Sequence, residues 1–214
     1  MSHNRSLQEG YDRVAEEYVH RIFNELDGKP FDRVQLDALG NKVGKLGPIC
    51  DLGCGPGQVA RYLKDAGFEN VVGVDLSSEM ISQARRLNPD IVFHQGDMTH
   101  LDIPDGAWGG IAAFYSIIHI PREQIATCFR ELWRVLRDRG VLLLSFHIGD
   151  QTVHLDEWWG HPVSLDFNFL QKEDIETRLR SAGFIIESFL ERNPYRPDIE
   201  HQSRRGYVFA RKIT

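Results

Sequence analysis

The densest chemical signal in this 214-residue chain is the octapeptide Asp51-Leu52-Gly53-Cys54-Gly55-Pro56-Gly57-Gln58. A short apolar run precedes it and helical periodicity follows, which places it on a strand-to-helix turn. Its three glycines let the backbone turn tightly and let a ligand press against peptide groups with no side chain between. Helix amino termini favour anions, so a nucleotide pyrophosphate and the carboxylate of an amino-acid moiety are both candidates. The spacing weakens the first. A dinucleotide fold wants G-x-G-x-x-G, whereas Gly57 comes one position early and Gln58 stands where the third glycine belongs. Asp51, just ahead of the turn, repels a pyrophosphate yet can accept hydrogen bonds from an ammonium group.

Two further acids stand at comparable places. Asp75 ends the apolar run Val71-Val72-Gly73-Val74-Asp75, where a carboxylate can accept both hydroxyls of a ribose. Gly96-Asp97-Met98 follows a third run; Asp97 can accept from an adenine amino group while Met98 packs the ring face. Three strand ends thus offer sites for three parts of one molecule. Cys54 reads as a small filler more than as a reactive thiol. His119 and His147, at the ends of later runs, and His154 are candidate general bases for a substrate hydroxyl, although each can equally contact a ligand or cap a turn. Trp158 and Trp159 can wall a pocket, attract a cation or simply pack.

These residues need a scaffold. Apolar runs at Pro48 to Leu52, Val71 to Asp75, Ile91 to His94, Gly110 to Tyr115 and Val141 to Phe146 read as strands buried on both faces. Helices are expected at Gly57 to Ala66, Ser78 to Leu87 and Arg122 to Leu136, with none between the third and fourth strands, where Pro104 interrupts a short segment. Two helices, broken at Gly28-Lys29-Pro30, precede this core and make an amino-terminal cap over residues 1–45. An irregular, aromatic lid is expected over 147–171, then a helix from about Lys172 to Ala182 and two strands, Phe184 to Leu190 and Gly206 to Lys212, joined as a hairpin. One α/β domain over 1–214 follows from length and rhythm.

From Tyr11 to Lys212 the chain resembles the class I S-adenosylmethionine (SAM)-dependent methyltransferases. Their D-x-G-x-G-x-G motif is similar to Asp51, Gly53, Gly55 and Gly57. Their acid after the second strand corresponds to Asp75, their adenine-binding acid to Asp97 and their fourth-strand segment to Ala113-Phe114-Tyr115-Ser116. The Tyr-x-x-x-Ala-x-x-Tyr helix that closes over the cofactor matches Tyr11, Ala15 and Tyr18. The resemblance is greatest to the small-molecule branch. It implies a Rossmann-like, doubly wound seven-stranded sheet with its last strand antiparallel, SAM as methyl donor and S-adenosylhomocysteine as product. It also implies cofactor contacts from Tyr11, Tyr18, Asp51, Gly53, Cys54, Gly55, Gly57, Asp75, Leu76, Met80, Gly96, Asp97, Met98 and Phe114, and no metal.

Composition narrows the partners. A net charge of −6 argues against a broad nucleic-acid footprint, and Arg204-Arg205 and the Arg134/Arg137/Arg139 group read as solvated faces. No apolar run reaches the ~20 residues of a membrane span, the amino terminus has no apolar stretch of a signal peptide, and three cysteines without metal or redox spacing fit a reducing cytoplasm. A small-molecule methyl acceptor, with the chain as monomer or homodimer, is the expectation. A non-catalytic SAM-binding regulator or partner subunit is the alternative, and a nicotinamide-dependent oxidoreductase is disfavoured by the early glycine and by Asp51. Arg192, Tyr195, Arg196 and Glu200 are polar enough to recognise a ligand, surface solvation being the commoner role.

Overall fold

A computed structural model describes residues 3–213. Five strands, β1 (Ile49–Leu52), β2 (Val71–Asp75), β3 (Val92–Gln95), β4 (Trp108–Phe114) and β5 (Leu136–His147), pair in parallel, and β8 (Phe184–Arg192) and β9 (Arg205–Lys212) complete a seven-stranded sheet. Its order is β3-β2-β1-β4-β5-β9-β8, and β9 runs antiparallel to both neighbours. The fold is the Rossmann-like one that the sequence implied. Strand order reverses at β1, between β2 and β4, so the carboxyl ends of β1 and β4 flank the crevice where such sheets bind ligands.

The sheet is covered on both sides because its central strands are apolar on both. Every residue of β1 is buried, as are six of the seven in β4. On one face lie α2 (Pro30–Val43), α3 (Gln58–Asp65) and α4 (Ser78–Leu87); on the other, α5 (Ile125–Val135) and α6 (Lys172–Ser181). Helix α5 buries Ile125, Cys128, Phe129, Leu132 and Val135, the three- and four-residue spacing of one helical stripe; each such large apolar side chain contributes about 1.5–3 kcal/mol. The exception is β3, an edge strand in which only Phe93 is buried and Val92 is 56% exposed.

The lid is more regular than its sequence suggests. Instead of an irregular segment, β6 (Thr152–Trp158) and β7 (His161–Asn168) pair as an antiparallel hairpin. The two-residue turn is Trp159-Gly160, at φ +53° and +84°, the doubly left-handed geometry that suits a tight hairpin. Asn-Gly announces such a turn; Trp-Gly does not. The hairpin packs on α1 (His3–Ile22) through a third apolar cluster holding Val14, Ala15, Met80, Val163 and Leu165. Helix α1 is also latched to the core. Asp12 Oδ1 accepts from Ser77 Oγ at 2.6 Å and from Glu79 N at 3.1 Å, while Ser77 caps α4 by accepting from Met80 N at 3.0 Å, worth about 1 kcal/mol. Among the described residues no helix is long and apolar enough to cross a membrane.

Candidate active site

The strand ends, α1 and the hairpin enclose a cavity of about 480 Å³. Its floor is the glycine turn. Gly53 N and Cys54 N donate to the Val74 carbonyl at 2.7 and 3.0 Å, tying β1 to β2, and Ser116 Oγ donates to the Leu52 carbonyl at 2.8 Å. Gly53 needs φ +74°, and a Cβ there would lie 2.3 Å from that of Ser116. At Gly55, φ +51°, an added Cβ would meet nothing closer than the Tyr18 ring and Gln58 Oε1, at 3.7 and 3.8 Å. Gly55 therefore presents bare backbone to the cavity, with Gln58 Oε1 beside it, buried and without a hydrogen-bond partner among the described residues.

The acids surround this turn. Asp51 is 1% exposed; its Oδ2 accepts from Ala60 N at 2.9 Å, and burial pushes its carboxyl up to about 8. Asp75 accepts from Gly55 N and Ser77 N, each at 2.8 Å, so it shapes the turn besides facing the cavity; burial raises its pKa as well. Asp97 accepts from Thr99 N and Oγ1 with one oxygen and from Asn4 Nδ2 with the other. Asn4 of helix α1 thereby supplies the amide donor expected from an adenine. Leu76, Gly96, Met98 and Phe114 line the same cavity, and Tyr11, Tyr18, Cys54 and Trp158 wall it.

Two expected contacts fall elsewhere. Gly57 does not line the cavity: at φ +87°, a Cβ would strike Phe93 and Asn88, each 2.8 Å away. That glycine permits the turn to pack on β3. Met80 lies in the apolar cluster beneath α1 and the hairpin, so its role is to seat the lid. His154 likewise stands on the outer face, bonded to Asp166 and Asp156. Asn88 went unnoticed in the sequence; buried at the end of α4, it donates to the Pro56 carbonyl at 3.1 Å and pins the turn.

His119 and His147, which both line the cavity, are engaged in ways that differ from a free base. His119 accepts at Nε2 from Tyr11 Oη, 2.7 Å away, and donates from Nδ1 to the Asp166 carbonyl at 2.9 Å. Burial lowers its pKa to about 4, so the ring is neutral and joins α1 to the hairpin. His147 Nδ1 takes an N–H of Arg205 at 2.5 Å and lies 2.7 Å from Ser203 Oγ. Burial and then Arg205 hold its pKa near 3; a neutral imidazole whose Nδ1 faces a guanidinium carries its proton on Nε2.

Arg205 corrects another expectation, being buried instead of solvated. It belongs to a charge cluster in which Arg192 bridges Asp32, at 3.1 Å, and Glu200, with Arg205 at 3.4 Å from Glu200.

The sequence model of a family described as the methyltransferase domain matches residues 49–140, the span from β1 into β5. With the relatives and solved structures that follow, this match supports a class I SAM-dependent methyltransferase. It is similar to a malonyl-[acyl-carrier protein] O-methyltransferase of Enterobacter lignolyticus (strain SCF1), with 26% identity over 159 residues, 72% of this chain and 59% of that protein. The chain thus spans less than two thirds of this relative's length. Among solved structures, a SAM-dependent methyltransferase of Methanosarcina mazei shares the fold at TM-score 0.73 and 15% identity, over 82% of this chain and 97% of that one. The magnesium protoporphyrin IX methyltransferase of Synechocystis PCC 6803, solved with bound SAM, does so at TM-score 0.71 and 18% identity, over 99% and 98%. In this methyltransferase fold the matched span carries the glycine turn and all three strand-end acids.

Proposed function

We propose that this chain transfers the methyl group of SAM to a nucleophilic O, N or S atom of a small molecule, leaving S-adenosylhomocysteine. The observation that carries the reading is one cavity joining a bare glycine backbone, an orphaned Gln58 oxygen and carboxylates at three successive strand ends. Those residues fit the donor. Asp51 and Gln58 would hold its amino-acid end, Asp75 the ribose hydroxyls, and Asp97 with Met98 the adenine, taking over the bond now made by Asn4. When bound, SAM supplies a methyl already activated by its sulfonium.

The chain's remaining task is alignment and exclusion of water. Positioning of this kind can contribute on the order of 7–11 kcal/mol. Tyr11, Tyr18 and Trp158 stand edge to face around the cavity, with ring centres 5.8 to 6.1 Å apart, a wall whose π faces suit a cation. His119 fastens that wall by bonding both lid elements. With His119 Nε2 and His147 Nδ1 already occupied, neither serves as the base, and the reading takes an acceptor that is nucleophilic without them. The cavity's volume lies within the ~300–1,000 Å³ usual for small ligands. The same reading places the enzyme in the cytoplasm, with its three buried cysteines free, as a monomer or homodimer.

The test is incubation of the purified chain with methyl-labelled SAM and fractionated metabolites. Label is expected in a low-mass product. Label recovered only in nucleic acid or protein, or only as unreacted donor, contradicts the reading.

A further inference from the structure

The wall around Tyr115 is not used by the donor reading. Arg205 Cζ lies 5.4 Å from the centre of the Tyr115 ring, Lys29 Nζ 5.7 Å and the His147 ring 5.4 Å, and all line the cavity. Tyr115 itself follows β4 at φ +50°, a left-handed conformation that a bulky residue holds only under constraint from its surroundings. Its hydroxyl is committed. Tyr207 donates to Asp32, so the Tyr207 oxygen receives the Tyr115 proton at 3.0 Å.

The three cationic or polar neighbours keep unused donors. Arg205 spends Nη1 on His147 and Ser203, and Nη2 on the His201 carbonyl and Glu200. Its Nε is buried without a partner among the described residues. His147 holds its proton on Nε2, for which no described residue is an acceptor. Lys29, 6% exposed, gives one N–H to Glu25 at 2.5 Å and has two others. The carboxylates on this side are already engaged. Glu200 receives Arg192 and Tyr195 N and pairs with Arg205, Asp32 receives Tyr207 and Arg192, Glu25 also receives Gln58, and Asp198 pairs with Arg196.

An amine would bring more donors to a wall that already has too many. A carboxylate brings acceptors, and charge-assisted bonds of that kind are the strong ones. Resting on the methyltransferase reading above, we propose that this wall is the acceptor subsite and that the acceptor is a carboxylate-bearing small molecule, its anionic oxygens set against Arg205 Nε, His147 Nε2 and Lys29 Nζ. Such an acceptor also suits a cavity in which His119 Nε2 and His147 Nδ1 are already taken.

The experiment titrates the S-adenosylhomocysteine-saturated chain with benzoate and hexanoate, and with benzamide and hexanamide as neutral counterparts, by calorimetry. Each carboxylate is expected to bind at least tenfold more tightly than its amide. Lys29→Met and His147→Leu should each reduce that preference at least threefold and Lys29→Arg should retain it, with S-adenosylhomocysteine affinity within twofold of native in all three. Amides that bind as well as the acids, or a preference unchanged in both loss variants, would overturn the proposal. Failure of S-adenosylhomocysteine to bind would instead remove the donor reading, and the acid-to-amide comparison on the unliganded chain would still decide the subsite.

Discussion

As the proposed acceptor for the donor's ammonium, Asp51 would make donor binding a proton-linked event. Its carboxyl is fully buried beside Asp75, with Ala60 N donating to it, and burial holds its midpoint at about 8. A midpoint one unit above the working pH leaves roughly a tenth of the group ionised at pH 7. The donor's ammonium needs the carboxylate, so binding at pH 7 should release about 0.9 proton. Affinity should weaken about tenfold, or ~1.4 kcal/mol, for each unit from pH 7 to pH 6. Above about pH 8 the gain ends, because an α-amino group loses its own proton near 7.7–8.0. Calorimetry with S-adenosylhomocysteine in phosphate and in Tris at one pH reads the proton count from the difference in apparent enthalpy. Asp51→Asn should bind more weakly at pH 8 and show a flat acid limb. The sign for stability follows from the same group. Its folded midpoint lies above the ordinary 3.8, so its contribution is complete below that value and is lost as pH rises toward 8. Thermal melting of the ligand-free chain should therefore fall between pH 5 and 8, and less so in Asp51→Asn. Enthalpies that are independent of buffer, or an acid limb that survives in Asp51→Asn, would refute the assignment of the proton to this carboxyl.

Other outcomes follow from packing and pairing. Gly57→Ala places a methyl 2.8 Å from Phe93 and Asn88 at φ +87° and should cost about 1–3 kcal/mol in denaturant unfolding, without removing any ligand contact. Arg192→Met strands Asp32 and Glu200, which are 0% and 2% exposed at their side chains, and should destabilise by about 3–5 kcal/mol. His119→Ala removes the bridge between α1 and the hairpin, so amide exchange should speed in both elements at an overall cost of about 1–3 kcal/mol. In the native chain, the His119 midpoint near 4 lies below its ordinary 6.5; the bridge is whole above 6.5 and should be lost progressively as pH falls toward 4, read by the same exchange measurement.

The core was legible because its signals are local. Val71–Asp75 and Ser78–Leu87 occur with the boundaries read from the residues, since apolar runs and Ser77 capping act within a few positions. The absence of a helix between β3 and β4 also agrees with the interruption at Pro104. What escaped was set by distant partners or unusual turn chemistry. The hairpin was hidden behind a Trp159 forced to positive φ and a register shift between Leu155 and Glu157. Gly57 and Met80 fit the motif spacing, but spacing does not say which side of the turn faces the cavity. Arg205 reads in sequence as half of an exposed Arg-Arg pair, yet strand alternation sends it inward, toward His147 and Glu200. Asn88 and Asn4 bear on the site across 32 and 93 residues of separation, respectively, and no short motif carries that information.

The central claim is that the glycine turn and the strand-end carboxylates form a SAM site, and equilibrium dialysis with labelled SAM tests it most directly. One saturable site per chain is expected, weakened at least tenfold by Asp75→Asn because the ribose loses a charged acceptor and Gly55 N its anchor. No saturable binding by the native chain, or undiminished binding in the variant, would contradict it.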